Sequence, residues 1–213
     1  MPSNVLLDVG ETLVGFRPLA YERIREILKD WGYDRTPKEV FRALVKSMGK
    51  SNFPNEIGLN PVDLREVLYE LGLPPRGEIL KDLQGNYFPS EWYLYDDAVD
   101  FLERCKSEGT RVVLVTNATR RMVKVVEELG ILKYVDAVVA SYSVGVVKPH
   151  PKIFWYATRY SGFPVIHIGD IYELDYLGAK RAYVDGVLLD RFNFYDDIKV
   201  RKVRSLKEVE MIE

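Results

Sequence analysis

The sequence of 213 residues contains very little cysteine and no long apolar segment. Its single cysteine, Cys105, excludes a disulfide bond within the chain. No apolar run approaches the ~18 residues that a membrane span requires, and the first residues lack the basic and apolar regions of a secretion signal. We therefore expect a cytoplasmic protein that has no membrane partner.

The chain also lacks an excess of charge of either sign. Thirty lysine and arginine residues stand against 32 aspartate and glutamate residues, which gives a formal net charge of -2. Because no basic stripe is present that could neutralise a phosphate backbone, we expect no nucleic-acid partner. Hydrophobic residues make up 47% of the chain, which is enough to build a buried core.

Short β-branched apolar runs alternate with helical patterns along the chain, and each run ends at a polar residue. Runs without alternation are typical of strands buried on both faces of a parallel sheet that helices cover. The order of these runs predicts a doubly wound α/β fold. The predicted strands are Val5–Leu7, Arg111–Val115, Ala137–Ala140 and Val165–Gly169. We expect His167, inside the last strand, to be a hydrogen-bonded core residue.

About a hundred residues separate the first two predicted strands, far more than the roughly twelve that a crossover helix requires. Helix starts are indicated at Thr36-Pro37, with Glu39 completing a capping box, and at Asn60-Pro61. We therefore predict a small helical cap domain at residues 16–93, inserted into a core domain of residues 1–15 and 94–213. Three apolar stripes with helical spacing support it: Ile24, Ile27, Leu28 and Trp31; Phe41, Leu44, Val45 and Met48; and Leu64, Val67, Leu68 and Leu71.

Polar residues follow the predicted strands at the edge of the sheet where ligands bind in open parallel sheets. Three carboxylates in one crevice repel one another unless a cation joins them, and a hard, oxygen-ligated ion such as Mg²⁺ is the natural partner. A lysine further along the chain adds a positive charge to this group. The candidate residues are Asp8, Thr116, Asn117, Lys148, Asp170 and Asp175.

Four segments in this order resemble the motifs of the haloacid dehalogenase (HAD) superfamily. They are VLLDVGETL at residues 5–13, VLVTN at 113–117, GVVKPHPKIF at 145–154 and HIGDIYELDYLGA at 167–179. The resemblance covers essentially the whole chain and implies a Rossmann-like core with a helical cap inserted after the first strand. It also implies a hydrolase, most commonly a phosphatase that acts on a small phosphorylated metabolite with Mg²⁺.

The resemblance assigns a role to each candidate residue. Asp8 would be the nucleophile that forms an aspartyl-phosphate. The carboxylates of Asp8 and Asp170 and the carbonyl of Gly10 would bind Mg²⁺, with Asp175 as a further ligand or as a partner of the ion's waters.

The remaining three residues would bind the phosphoryl group by the same resemblance. Thr116 would donate a hydrogen bond to a phosphoryl oxygen, assisted by the backbone N–H of Asn117. Lys148 would neutralise the nucleophile and the transferring group.

The sequence departs from the usual phosphatase pattern at Gly10, where the family carries a second aspartate that moves protons. A general acid is typically worth ~10²-fold to 10⁴-fold in rate. Glu11 or a cap residue could replace it, the substrate could be an activated phosphate that leaves without a proton, or the chain could be a low-turnover binding or regulatory protein.

A fourth alternative is a metal-independent 2-haloacid dehalogenase, which also lacks the second aspartate. This branch resembles Ser-Ser-Asn where the present chain keeps Gly169-Asp170, and an uncompensated Asp170 beside Asp8 would repel an anionic haloacid. The sequence leaves the substrate open and is compatible with either a monomer or a homodimer.

Overall fold

The structure is a computed structural model that describes residues 4–50 and 62–210. These residues fall into two compact units, one of residues 4–15 and 93–210 and the other of residues 16–50 and 62–92. We call them the core unit and the inserted unit. The helix start predicted at Asn60-Pro61 lies outside the described residues.

Strands and helices alternate through most of the core unit, while the inserted unit is mainly helical. The strands of the described residues are β1 (Asn4–Leu7), β2 (Val14–Arg17), β3 (Glu91–Leu94), β4 (Val112–Thr116), β5 (Ala137–Ala140), β6 (Val165–Gly169), β7 (Asp185–Leu189) and β8 (Lys202–Val203). The helices are α1 (Ala20–Asp30), α2 (Pro37–Lys50), α3 (Leu64–Glu70), α4 (Gly77–Leu83), α5 (Asp96–Ser107), α6 (Arg120–Glu128), α7 (Ser141–Val144), α8 (Pro151–Ser161) and α9 (Leu177–Arg181). Among the described residues, no helix is long and apolar enough to cross a membrane.

Six strands form the sheet of the core unit in the order β5-β4-β1-β6-β7-β8, and all neighbouring pairs are parallel. This confirms the predicted α/β fold class. The four predicted strands are present, although β4 begins at Val112 and includes Thr116 instead of starting at Arg111. Strand β7 was not predicted, although its last four residues are buried like those of the other strands, and β8 was not predicted because two residues carry too little pattern.

Apart from His167 in β6, the centre of the sheet is apolar, which explains why its strands are nearly continuous hydrophobic runs. Leu6 of β1 and Val113 of β4 are completely buried, and Ile153 and Phe154 of α8 pack in the same cluster. Because both faces are buried, most polar side chains of the strands lie at the strand ends. The candidate residues are therefore concentrated at the carboxyl edge of the sheet.

The inserted unit consists of α1 to α4 and shows how local signals set helix boundaries. The capping box at the start of α2 is confirmed, because the Thr36 N–H donates to the Glu39 carboxylate at 2.7 Å and the Glu39 N–H to the Thr36 hydroxyl at 3.2 Å. Trp31, predicted as the last residue of the first stripe, lies beyond the end of α1, and its indole N–H donates to Asp82 at 3.0 Å.

Two short strands connect the units along the chain. Strands β2 and β3 pair with each other in a sheet of two strands. The helical pattern of residues 16–93 did not indicate these strands, since each has only four residues.

Candidate active site

Asp8 is the first residue after β1, which lies between β4 and β6 in the sheet. Its backbone N–H donates to the carbonyl of Ile168 at 2.9 Å, so the turn begins in a fixed register. The residue is 5% exposed, and its carboxylate accepts two side-chain hydrogen bonds. Lys148 Nζ lies 2.5 Å from Oδ1, and Thr12 Oγ1 lies 3.3 Å from Oδ2.

Lys148 is a buried cation that bridges two carboxylates. Its ammonium contacts Asp8 at 2.5 Å and Asp175 at 2.6 Å, and the residue is only 2% exposed. Burial alone would lower the pKa of Lys148, but the two carboxylates outweigh burial and raise it. The lysine is therefore charged at neutral pH although it is buried.

The side chain of Asn117 holds the backbone of Lys148 in place. Asn117 Oδ1 accepts from the Lys148 N–H at 2.6 Å, and Asn117 Nδ2 donates to the Lys148 carbonyl at 3.0 Å. The family resemblance predicts that the backbone N–H of Asn117 binds substrate. The side chain of Asn117 has a further role in the structure, because its amide connects the end of β4 to the loop that carries Lys148.

Asp175 contacts the Lys148 ammonium, and both of its carboxylate oxygens have hydrogen-bond partners. Oδ1 contacts Lys148 Nζ at 2.6 Å and His167 Nε2 at 2.9 Å, and Oδ2 accepts from the Ile171 N–H at 3.1 Å. Burial favours the neutral acid, but Lys148 and His167 outweigh it and lower the pKa of Asp175 to about 2. Two of these contacts are on Oδ1 and one is on Oδ2, so Oδ2 retains capacity for a further partner. The prediction that His167 is a hydrogen-bonded core residue is confirmed.

The third carboxylate of the site belongs to Asp170, which follows β6. Within the described part of the chain, its carboxylate accepts no hydrogen bond. Ligand oxygens of Asp8, Asp170 and Asp175 lie within 4.8 Å of one another. Desolvation and the charges of Asp8, Asp175 and Glu11 raise the pKa of Asp170 well above its usual range. Such a group favours a bound cation, and the oxygen donors suit a hard ion such as Mg²⁺.

Thr116 and Gly10 lie at neighbouring strand ends. Thr116 is the last residue of β4 and is 5% exposed. Gly10 belongs to the turn after Asp8 and forms an isolated bridge with Val14. Both residues thus occupy the carboxyl edge at which the sequence analysis placed them.

Glu11 has an unusual backbone in the same turn. Its φ is 51°, a left-handed value that few residues other than glycine adopt. Its N–H donates to the Val14 carbonyl at 2.7 Å, and the hydroxyl of Tyr95 donates to its carboxylate. Burial and the charge of Glu11 raise the pKa of Tyr95 strongly, so the hydroxyl remains a donor.

Sequence reasoning missed the groups that support this turn, namely Thr12, Tyr95, Asp97 and Arg191. Thr12 is part of the first motif, so its position was visible but its contact with Asp8 was not. Tyr95, Asp97 and Arg191 belong to no motif, and Arg191 is 180 positions from Glu11, whose carbonyl it contacts.

Comparison with known proteins identifies the family to which this chain belongs. A family model described as haloacid dehalogenase-like hydrolase matches residues 3–182. A glyceraldehyde 3-phosphate phosphatase of Methanopyrus kandleri is 30% identical over 98% of this chain and 97% of its own.

Solved structures share the fold at lower identity. A HAD phosphatase from Thermococcus onnurineus aligns with a TM-score of 0.60 and 20% identity over 97% of this chain and 95% of that chain. A 2-haloacid dehalogenase from Pseudomonas syringae aligns with a TM-score of 0.58 and 17% identity over 98% of this chain and 96% of that chain. The match of the family model and the similarity to the M. kandleri relative show that the chain belongs to the haloacid dehalogenase-like hydrolases.

Proposed function

We propose that this hydrolase is a Mg²⁺-dependent phosphatase that cleaves a small phosphomonoester through an aspartyl-phosphate on Asp8. The observation that carries the proposal is the buried ammonium of Lys148 between Asp8 and Asp175, with the carboxylate of Asp170 nearby. The name of the M. kandleri relative, a glyceraldehyde 3-phosphate phosphatase, supports the same chemistry.

The reaction would proceed in two displacements at phosphorus. A carboxylate oxygen of Asp8 forms a bond to phosphorus while the bond to the leaving oxygen breaks. Water then attacks phosphorus and loses a proton, the bond to Asp8 breaks, and inorganic phosphate and the free carboxylate result. Lys148 would neutralise charge on Asp8 and on the transferring group, and the Thr116 hydroxyl and the Asn117 N–H would orient phosphoryl oxygens.

The donor set of the site fits a magnesium ion. The carboxylates of Asp8 and Asp170 and the carbonyl of Gly10 would hold it, and Asp175 would act from outside through Lys148 and the ion's waters. When bound, Mg²⁺ supplies positive charge that stabilises the phosphoryl oxygens. It would also offset the repulsion that raises the pKa of Asp170.

The proton of the leaving group has no carrier at Gly10. Glu11 is the neighbouring acid, and its charge is near enough to the cluster to raise the pKa of Asp170. Its carboxylate accepts from Tyr95, which restrains it. We therefore propose that acyl and aryl phosphates, whose leaving oxygens need little protonation, are cleaved faster than alkyl phosphates.

The inserted unit is proposed to act as the cap that selects the substrate and excludes water. The cytoplasmic location and the monomeric or homodimeric state remain predictions from the sequence.

The central prediction is that the purified protein hydrolyses an aryl phosphate with Mg²⁺ and loses activity with EDTA. We expect Asp8→Asn, which keeps the shape of the side chain, to reduce kcat by roughly 10⁴-fold or more because the nucleophile is lost. Phosphate release is the measurement. Equal rates for the two proteins would refute the phosphatase, and metal-independent chloride release from a 2-haloacid would support the dehalogenase instead.

A second prediction concerns Gly10→Asp. We expect kcat/KM for an alkyl phosphate to rise by ~10-fold to 10²-fold, because the new carboxyl can protonate a basic leaving oxygen. An aryl phosphate should change by less than ~3-fold on the same grounds. Equal effects on the two substrates, or a loss on both, would contradict a missing acid as the rate limit.

A further inference from the structure

A single guanidinium holds the turn that follows Asp8. Arg191 lies just after β7, and its Nε donates to the carbonyl of Glu11 at 3.2 Å. Its Nη2 donates to the carbonyl of Thr12 at 2.7 Å. The two carbonyls belong to adjacent residues, so these contacts fix the orientation of two successive peptide units.

The other side of the same guanidinium is fixed by Asp97 near the start of α5. Nη1 and Nη2 of Arg191 contact the two carboxylate oxygens of Asp97 at 2.9 and 2.8 Å, which is the bidentate geometry of a strong ion pair. The side chains of Arg191 and Asp97 are 10% and 7% exposed. Asp97 also accepts from the Ser205 hydroxyl at 2.6 Å and the Leu206 N–H at 2.8 Å. The arginine is therefore held from a rigid base.

The turn that Arg191 holds is strained at Glu11. A left-handed φ of 51° in a residue with a side chain persists only where surrounding contacts determine it. Arg191 binds the carbonyl of Glu11, and Tyr95 binds its carboxylate. The guanidinium carbon of Arg191 lies 4.0 Å from the centroid of the Tyr95 ring, so it also positions that donor.

A hydrogen bond connects the strained turn to Asp8, the proposed nucleophile. Thr12, whose carbonyl accepts from Arg191, donates its hydroxyl to Asp8 Oδ2. Asp8 is thus oriented on one oxygen by Lys148 and on the other by a residue that Arg191 holds. Arg191 itself lies beyond residue 182, where the family match ends.

We infer that Arg191, anchored by Asp97, is a positioning residue that sets the orientation of Asp8 through the Glu11–Thr12 turn. The inference rests on the proposed phosphatase function. A lysine cannot replace it, because only a planar guanidinium can serve two carbonyls and a bidentate carboxylate together. A merely structural arginine would instead affect stability without a specific effect on the chemical step.

The test compares Arg191→Met with Arg104→Met. Arg104 is a matched control in the core unit, since it donates to the carbonyl of Val209 at 2.9 Å and stacks on Phe101 at 5.3 Å but has no contact with the turn. We expect Arg191→Met to lower kcat on an aryl phosphate by ~10²-fold with KM within ~3-fold, because misplacement of a reacting group acts on the chemical step. Arg104→Met should lower Tm but retain kcat.

Conservative replacement and chemical rescue separate positioning from folding. Arg191→Lys should recover Tm but not kcat, and guanidinium ion at low concentration should raise kcat of Arg191→Ala but not of Arg104→Ala. The inference is overturned if the kcat loss of Arg191→Met equals that of Arg104→Met, or if Arg191→Lys has wild-type kcat.

A crystal structure of Arg191→Met tests the inference even if the wild-type protein proves not to be a phosphatase. We expect Glu11 to leave the left-handed region and Thr12 to lose its hydrogen bond to Asp8. Retention of both features would overturn the positioning role, whereas wild-type activity equal to that of Asp8→Asn would refute only the proposed function.

Discussion

Replacing Lys148 by methionine is expected to reduce kcat on an aryl phosphate by roughly 10³-fold, because it removes the buried positive charge that would neutralise the transferring phosphoryl group in the proposed reaction. Methionine retains most of the length of the side chain, so the loss is mainly one of charge. Steady-state kinetics with saturating Mg²⁺ measure the effect. A kcat within tenfold of wild type would show that Lys148 does not act in the chemical step.

The same variant should also unfold more easily in the absence of metal. Asp8 and Asp175 would lose the cation that lies 2.5 and 2.6 Å from them, and breaking a buried ion pair costs about 3–5 kcal/mol. Lys180→Met is the matched control, because the Lys180–Asp185 pair is exposed and worth at most about 1 kcal/mol. Urea unfolding of both variants in EDTA gives the comparison, and equal stability losses would contradict the buried pair as the cause.

Gly169→Ala is expected to reduce stability by about 1–3 kcal/mol and kcat by ~10²-fold, although it adds a single methyl group. A Cβ at position 169 would lie 2.3 Å from Cγ of Asp175. Asp175 cannot move without disturbing its contacts with Lys148 and His167. A shift of Asp175 would therefore displace the Lys148 ammonium, which contacts Asp8.

Gly186→Ala is the control that separates the loss of stability from the loss of kcat expected for Gly169→Ala. Gly186 pairs with His167 in the neighbouring strand, and a Cβ there would lie 2.9 Å from the ring of Tyr176 instead of Asp175. We expect a comparable decrease in the free energy of unfolding with kcat unchanged. Denaturant unfolding and kinetics of the two variants provide the check, and a similar loss of kcat in both would show that general overpacking, not displacement of Asp175, is responsible.

Much of the fold could be predicted because its strands are locally distinct. Strand β4 is apolar at every position before Thr116, and burial on both faces requires that pattern. Strand β7 ends in the same Val-Leu-Leu run before an aspartate as β1, so its signal was present in the sequence, whereas β8 has two half-buried residues and does not differ from a loop. The place of β7 beside β6 and of β8 beside β7 depends on strand pairing, which no local pattern records.

Part of the candidate site could likewise be predicted from the sequence, and part could not. Asp8, Thr116 and Asp170 could be found because the carboxyl ends of neighbouring parallel strands meet at one edge. Asn117, Lys148 and Asp175 were also candidates, but their mutual contacts could not be predicted: Asp175 contacts the Lys148 ammonium, and the Asn117 side chain binds the Lys148 backbone. Such contacts depend on the direction of side chains after folding.

The alternation of apolar runs and helical stripes, read along the chain, was sufficient for the fold class and for the edge of the sheet at which the acidic residues gather, because burial imposes a local period. The role of Arg191 was decided only by tertiary structure. Its guanidinium meets Asp97 and the Glu11–Thr12 turn across long separations in the chain. A lone arginine in a loop has no period and no motif, so only the folded chain shows that it supports the turn beside Asp8.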